Sequence, residues 1–248
     1  MSASRMKRTV FFTLLILFSL SIHGRNFLCT NRLEDFLKDV SLLTLGSLGN
    51  TSLAQEVGQY VGSVAKQDGY SYYLIGPLDT LSVDDNDYFY RVNKSPFITA
   101  DIYEKFATGL GNAGIIPVFD GRGKIDTNLV SSLVTRKLTY PVLVEDEGKA
   151  NLLRALGYKA VFIVEENGEY KFLNSIPVSL YWKIPVQNPE ELRKKVLLNS
   201  IIYLGPGEVQ IRKSFVTSGV VVFSDEEFVI SEAKKALEKR TAPGRVPW

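Results

Sequence analysis

Asp120-Gly-Arg122-Gly-Lys124-Ile-Asp126 places two carboxylates and two cations within seven residues, directly after the apolar run Ile115–Phe119. After a strand, such a loop presents its charges at the strand's carboxyl end. Asp120 or Asp126 could hand a proton to a leaving group only with a strongly raised pKa, through burial or a nearby like charge. The same residues also make an ordinary Asp-Gly turn. Asp79 closes Gly76-Pro-Leu-Asp79, where it could contact a ligand or shape the next loop, and Arg91 sits in Tyr90-Arg-Val-Asn93. Asp225 ends Val220-Val-Val-Phe-Ser-Asp225 and precedes Glu226 and Glu227, a pattern that also suits a helix N-cap at Ser224 or Asp225. Asp84, Asp85 and Asp87 share only acidity with a calcium loop; the spacing and the closing glutamate are absent. His23 is the only histidine and lies near the amino end. A chain processed beyond it has no histidine ligand and no imidazole acid or base. No metal and no cofactor are expected.

The elements that position these residues follow from periodicity. Thr51 or Ser52 can cap a helix with Leu53, Val57, Val61, Val64 and Ala65 on one stripe and Gly69 as its stop. Tyr70–Ile75 reads as a buried strand. Ile102, Tyr103, Phe106 and Leu110 form a second stripe, ended by Gly111 and Gly114. Ile115–Phe119 is the next strand, and Asp126–Thr135 a short helix with Leu129, Val130 and Leu133 inward. Strands follow at Pro141–Val144 and Ala160–Glu165, separated by a helix over Lys149–Leu156. Asn167-Gly168 signals a hairpin into Glu169–Leu173. A helix over Glu190–Leu198, strands at Ile201–Leu204 and Val220–Phe223, and a helix over Glu226–Arg240 complete the pattern. Residues 241–248 read as a flexible tail. Short apolar strands alternating with helices imply βαβ units and a mostly parallel sheet.

The stretch Gly46–Gly123 then carries a family resemblance. A helix rich in small residues, Gly46–Gly69, leads to Tyr72-Tyr-Leu-Ile-Gly-Pro-Leu-Asp79, to Arg91, and to Gly109-Leu-Gly-Asn-Ala-Gly-Ile-Ile-Pro-Val118. This resembles the N-terminal barrel domain of glycoside hydrolase family three, with its "A-P-x-x-D" strand, "N-R-S-F-G" arginine and "G-L-x-x-A-G-V-I-P-V" segment. More weakly, Pro177-Val-Ser-Leu180 resembles "P-A-S-L-S", and Ser218–Asp225 resembles "D-G-V-V-V-S-D". The resemblance implies an α/β, (β/α) TIM-barrel-like fold, incomplete or altered. Only Arg25–Asp39 stands where the family has about two βα units, and about 220 residues remain where about 250 are usual. It implies a sugar-binding role for Arg91, with Asp79 and Arg122 as further substrate-binding candidates. It makes Asp225 the nucleophile, and Asp120 or Asp126 the acid in place of the lost histidine of "K-H-F-P-G-H-G". Phe223 is an extra residue before Ser224, and one residue added to a strand reverses side-chain direction unless a bulge absorbs it. Tyr70, Tyr72, Tyr73, Tyr88, Phe89 and Tyr90 could stack on sugar rings or fill the core.

Composition bounds the address and the partners. Arg5, Lys7 and Arg8 precede an apolar run over residues 10–22, the form of a secretory signal, with residues 1–24 as the leader. The run is short of the roughly 20 residues of a membrane span, and an uncleaved leader would hold the membrane only through residues 10–22. Without residues 1–24 the net charge goes from +2 to −1, so nothing suggests a nucleic-acid surface. Cys29 is the sole cysteine, which excludes an intrachain disulfide and reads as a lone thiol near a loose terminus. An incomplete barrel leaves sheet edges that a second copy or another chain would cover. The expectation is an exported, catalytically impaired member of this family that binds glycan or serves as an envelope partner subunit. The alternative is an active hydrolase of β-N-acetylglucosaminides or β-glucosides.

Overall fold

The computed structural model describes residues 28–30, 32–82, 88–166, 169–173, 188–203, 215–217 and 220–241. The leader, Asp84–Asp87, Asn167-Gly168, Pro177–Leu180 and the carboxyl tail from residue 242 lie outside them. Strands β1 (Leu28–Cys29), β2 (Tyr72–Pro77), β3 (Ile116–Asp120), β4 (Val142–Val144) and β5 (Phe162–Glu166) run parallel and adjacent, in chain order. Antiparallel β6 (Glu169–Phe172) closes the sheet, with Glu166 opposite Glu169 as the Asn-Gly signal requires.

Strictly sequential order carries the fold assignment. A doubly wound sheet reverses its order at a switch point and places helices on both faces. Here the order never reverses, so right-handed crossovers deliver every connecting helix to one face. Strand alternation shows the same division. Cys29, Tyr73, Ile75, Phe119, Val142, Val144 and Phe162 join the large helix-side core, whereas Leu28, Tyr72, Val118, Leu143 and Ile163 form a second cluster on the opposite face. The result is a curled half-barrel, an incomplete (β/α) barrel with its helices outside.

The connecting helices form where apolar spacing and caps direct them. Between β1 and β2 lie α1 (Leu33–Phe36), α2 (Leu42–Gly46) and α3 (Ser52–Gln67). Between β2 and β3 lie a 3₁₀ turn (Tyr88–Tyr90) and α4 (Pro96–Asn112), whose N-cap Ser95 accepts a hydrogen bond from the Ile98 N–H. Helix α5 (Thr127–Thr135) joins β3 to β4, and α6 (Glu147–Ala155) joins β4 to β5. Helices α3 and α4 pack with their backbones nearly touching. A Cβ on Gly58 would collide with the Phe106 carbonyl, one on Gly109 with the Gln55 carbonyl, and one on Gly62 would lie 2.8 Å from the Ala113 Cβ.

The carboxyl-terminal part departs from the barrel pattern. Helix α7 (Pro189–Asn199) is followed by β7 (Ile202–Tyr203), β8 (Phe215–Thr217), β9 (Val220–Val222) and α8 (Glu227–Thr241). The three strands form a separate antiparallel sheet in the order β7-β9-β8. Val220–Phe223 therefore does not continue the parallel wall. A second correction concerns Cys29: it pairs with Tyr73 in the sheet and is 1% exposed, a core residue instead of a loose thiol. A two-residue strand offers no period for sequence reading to detect.

Candidate functional site

A cleft of about 310 Å³ opens at the carboxyl ends of β1, β2 and β3, the edge where parallel α/β sheets carry their sites. Its floor is Ile75-Gly76-Pro77, and its polar lining is Arg32, Glu34, Tyr90, Arg91, Asp120 and Arg122. Gly76 is required by close approach. The Tyr103 hydroxyl passes it to donate to the Pro77 carbonyl at 2.8 Å, and a Cβ at 76 would lie 2.8 Å from that hydroxyl. The bulge between Leu74 and Gly76 brings Pro77 opposite Asp120.

Two backbone ties hold the site loops together. The Leu78 N–H donates to the Asp120 carbonyl at 2.8 Å, and the Asp126 N–H donates to the Leu78 carbonyl at 2.8 Å. Asp126 itself is the N-cap of α5. Its Oδ1 accepts from the Asn128 and Leu129 N–H groups at 2.8 and 3.2 Å. Its Oδ2 accepts from the Thr80 hydroxyl at 2.6 Å. Partial burial pushes its pKa up, but the bonds from Thr80, Leu129 and Asn128, with Lys124 nearby, hold it below the ordinary carboxylate value. A proton donor needs the opposite shift.

Asp120 faces the cleft and is held by the arginine two residues on. Oδ1 accepts from the Arg122 N–H at 3.0 Å and from Nε at 2.9 Å, and Oδ2 accepts from Nη2 at 2.8 Å. These bonds raise the Arg122 pKa further, and Glu165 adds a contact at 3.7 Å. Both Asp120 oxygens therefore accept from Arg122.

Arg91 is positioned from beneath. Val92 is buried, the Asn93 amide donates to the Gly46 carbonyl at 3.0 Å, and the Asn93 carbonyl accepts from the Leu81 N–H at 3.0 Å. The Arg91 Nε stands 3.5 Å from Asp79 Oδ2, without hydrogen-bond geometry, and is a buried donor with no partner. Asp79 is nearly enclosed and accepts from the Thr80 N–H at 2.9 Å. Burial raises the Tyr103 phenol; Arg91 pulls it down, and Asp120 and Asp79 push it up. The four groups therefore share one electrostatic neighbourhood.

The structure thus brings together Arg91, Asp79, Asp120 and Arg122, and sets Asp126 behind them as a cap. Asp225 is not brought to them. It is exposed and follows β9 in the second sheet, outside the cleft lining. The following helix begins at Glu227, so neither Ser224 nor Asp225 is the residue flanking it; the Ser224 hydroxyl accepts from the Glu226 N–H at 3.2 Å. Of the aromatic candidates, Tyr72 and Tyr73 are buried, and Tyr73, Phe89 and Tyr90 line the cleft. Arg32 and Glu34 were not anticipated. They follow the two-residue strand, and no motif marks them.

No family model matches the chain, and no curated protein matches it. Among solved structures it is similar to M tuberculosis LpqI, with 18% identity over 55% of this chain and 53% of that one and a TM-score of 0.43. It is also similar to a glycosyl hydrolase of the GH3 family from Mycobacterium smegmatis str. MC2 155, with 18% identity, 51% and 53% covered, and a TM-score of 0.41. A third is DesR, a β-glucosidase from Streptomyces venezuelae solved with D-glucose, with 9% identity, 82% and 27% covered, and a TM-score of 0.42. The chain spans about half the length of the first two of these proteins.

Proposed function

We propose that the cleft binds a hydroxylated ligand of the carbohydrate class and that the protein does not hydrolyse it efficiently. The observation that carries this reading is the joint placement of Arg91, Asp120 and Arg122 beside Tyr90 at the carboxyl edge of β1–β3. Guanidinium and carboxylate groups at a cleft rim are directional partners for hydroxyls, and an aromatic ring supplies an apolar face for a sugar ring. The position of Arg91 also matches the sugar-holding arginine implied by the sequence resemblance.

The state of the carboxyl groups supports the impaired reading. Retaining hydrolysis needs a nucleophilic carboxylate and a protonated acid about 5 Å apart. Asp120 is forked to Arg122, Asp126 caps a helix with a lowered pKa, and Asp225 is outside the cleft. Loss of general acid catalysis alone costs about 10²–10⁴-fold. Purified protein should release almost no chromophore from aryl β-N-acetylglucosaminide or aryl β-glucoside. Robust turnover would reverse the reading in favour of an active hydrolase; turnover abolished by Asp225→Ala would also restore that residue as nucleophile.

Export and an envelope role belong to the same proposal. The basic residues Arg5, Lys7 and Arg8 and the apolar run that follows support them. Cell fractionation tests this, with recovery of intact full-length protein from the cytoplasm as the contrary result.

A further inference from the structure

We propose that the cleft selects an anionic ligand, a sugar carrying a carboxylate or phosphate, through an oxyanion clamp formed by Arg32 and Arg91. The proposal rests on the reading of the cleft as a carbohydrate site and narrows its ligand class. Three arginines line the cleft, and they differ in how they are satisfied. Arg122 gives two of its five side-chain N–H donors to Asp120, and Glu165 stands 3.7 Å from its Nη1. Arg91 is held largely out of solvent, its side chain 20% exposed, yet its buried Nε has no hydrogen-bond partner. Arg32 lies with its guanidinium over the Tyr90 ring, 4.4 Å from the centroid. Among the described residues no carboxylate forms an ion pair with it. Glu34 also lines the cleft.

Tyr90 precedes Arg91 in the chain, and Arg32, Tyr90 and Arg91 all line the cleft. A guanidinium carries five N–H donors and no acceptor, and leaving a buried donor unmade is costly. Asp79 offsets part of the Arg91 charge at 3.5 Å but leaves its donor directions open. Two planar forks with unfilled donors match a planar carboxylate or a phosphate, which accept bidentately. A neutral hydroxyl offers one oxygen and no charge, so it fills the pair poorly. The stacking of Arg32 on Tyr90 keeps the exposed fork preorganised.

The test is calorimetric titration of the full chain with D-glucuronate, D-glucose 6-phosphate and D-glucose. At least one anion should bind about tenfold or more tightly than D-glucose, with affinity falling between about 20 mM and about 300 mM NaCl. The preferred anion distinguishes carboxylate from phosphate. Arg32→Gln should erase most of the anion preference while the melting temperature holds, because Arg32 is exposed. Arg91→Lys should keep more of it than Arg91→Met. Equal affinity for glucose and both anions, or an unchanged preference in Arg32→Gln, overturns the clamp and leaves the carbohydrate reading standing. Absence of binding by all three overturns both.

Discussion

At the scale of single residues, environment decides what each carboxylate can do. Asp120 and Asp126 lie six residues apart and read alike in sequence, yet one is forked by Arg122 and the other caps α5. No spacing rule separates these roles, because the Thr80 hydroxyl that fixes Asp126 arrives from 46 positions away. Asp126→Ala should destabilise the protein by about 1 kcal/mol at about pH 7, as loss of an N-cap does. Its depressed pKa means that the folded chain binds this proton more weakly than the unfolded chain. The contribution is therefore complete above the ordinary carboxylate range, near pH 4, and is lost as pH falls through the lowered value. Urea unfolding of the two proteins should differ less at about pH 3 than at about pH 7; a gap that does not narrow contradicts the assignment.

At the scale of elements, the amphipathic stripes were legible and the close approaches were not. Leu129, Val130 and Leu133 point inward as their spacing predicts, and β2 to β5 occupy the positions that their apolar runs mark. The small residues of α3 and α4 were visible as composition alone. Only the packed helices show that Gly58 and Gly109 each press against the facing backbone. Gly109→Ala should therefore cost about 1–3 kcal/mol through overpacking, whereas Gly123→Ala, with open space around it, should shift stability by less than about 0.5 kcal/mol. Thermal unfolding of both variants checks the contrast, and equal effects would mean that the helices are not in backbone contact. Strand β1 stayed hidden because two residues have no period, and with it Arg32 and Glu34.

At the scale of the whole molecule, the half-barrel and the small antiparallel sheet share one apolar core, and a nearly buried cation ties them as well. Arg193 on α7 donates to the Lys38 carbonyl at 2.9 Å and to Asp39 at 3.3 Å, and pairs with Glu226 ahead of α8. Ser224 donates to the same Asp39 carboxylate at 2.9 Å. The hydrogen bond from Arg193 is the main cause of the lowered Glu226 pKa. Arg193→Met should cost about 1–3 kcal/mol, between the values for exposed and buried pairs, because the carboxylates it leaves behind are partly exposed. Hydrogen exchange should then show α8 opening before the parallel sheet. Simultaneous exchange throughout would contradict the clasp. The resemblance of Ser218–Asp225 to a catalytic strand pointed instead to a continuing barrel. The sequence alone could not show that β9 pairs antiparallel, because a run of three valines suits either sheet.

We propose that ligand binds at the cleft of β1–β3 and not at the loop carrying Asp225. This is tested most directly by amide chemical-shift mapping of the isotope-labelled protein during titration with D-glucuronate and D-glucose. Shifts should concentrate at Arg32–Glu34, Leu74–Pro77, Phe89–Arg91 and Asp120–Arg122. Shifts centred on Val220–Glu226, with those segments unmoved, would contradict it.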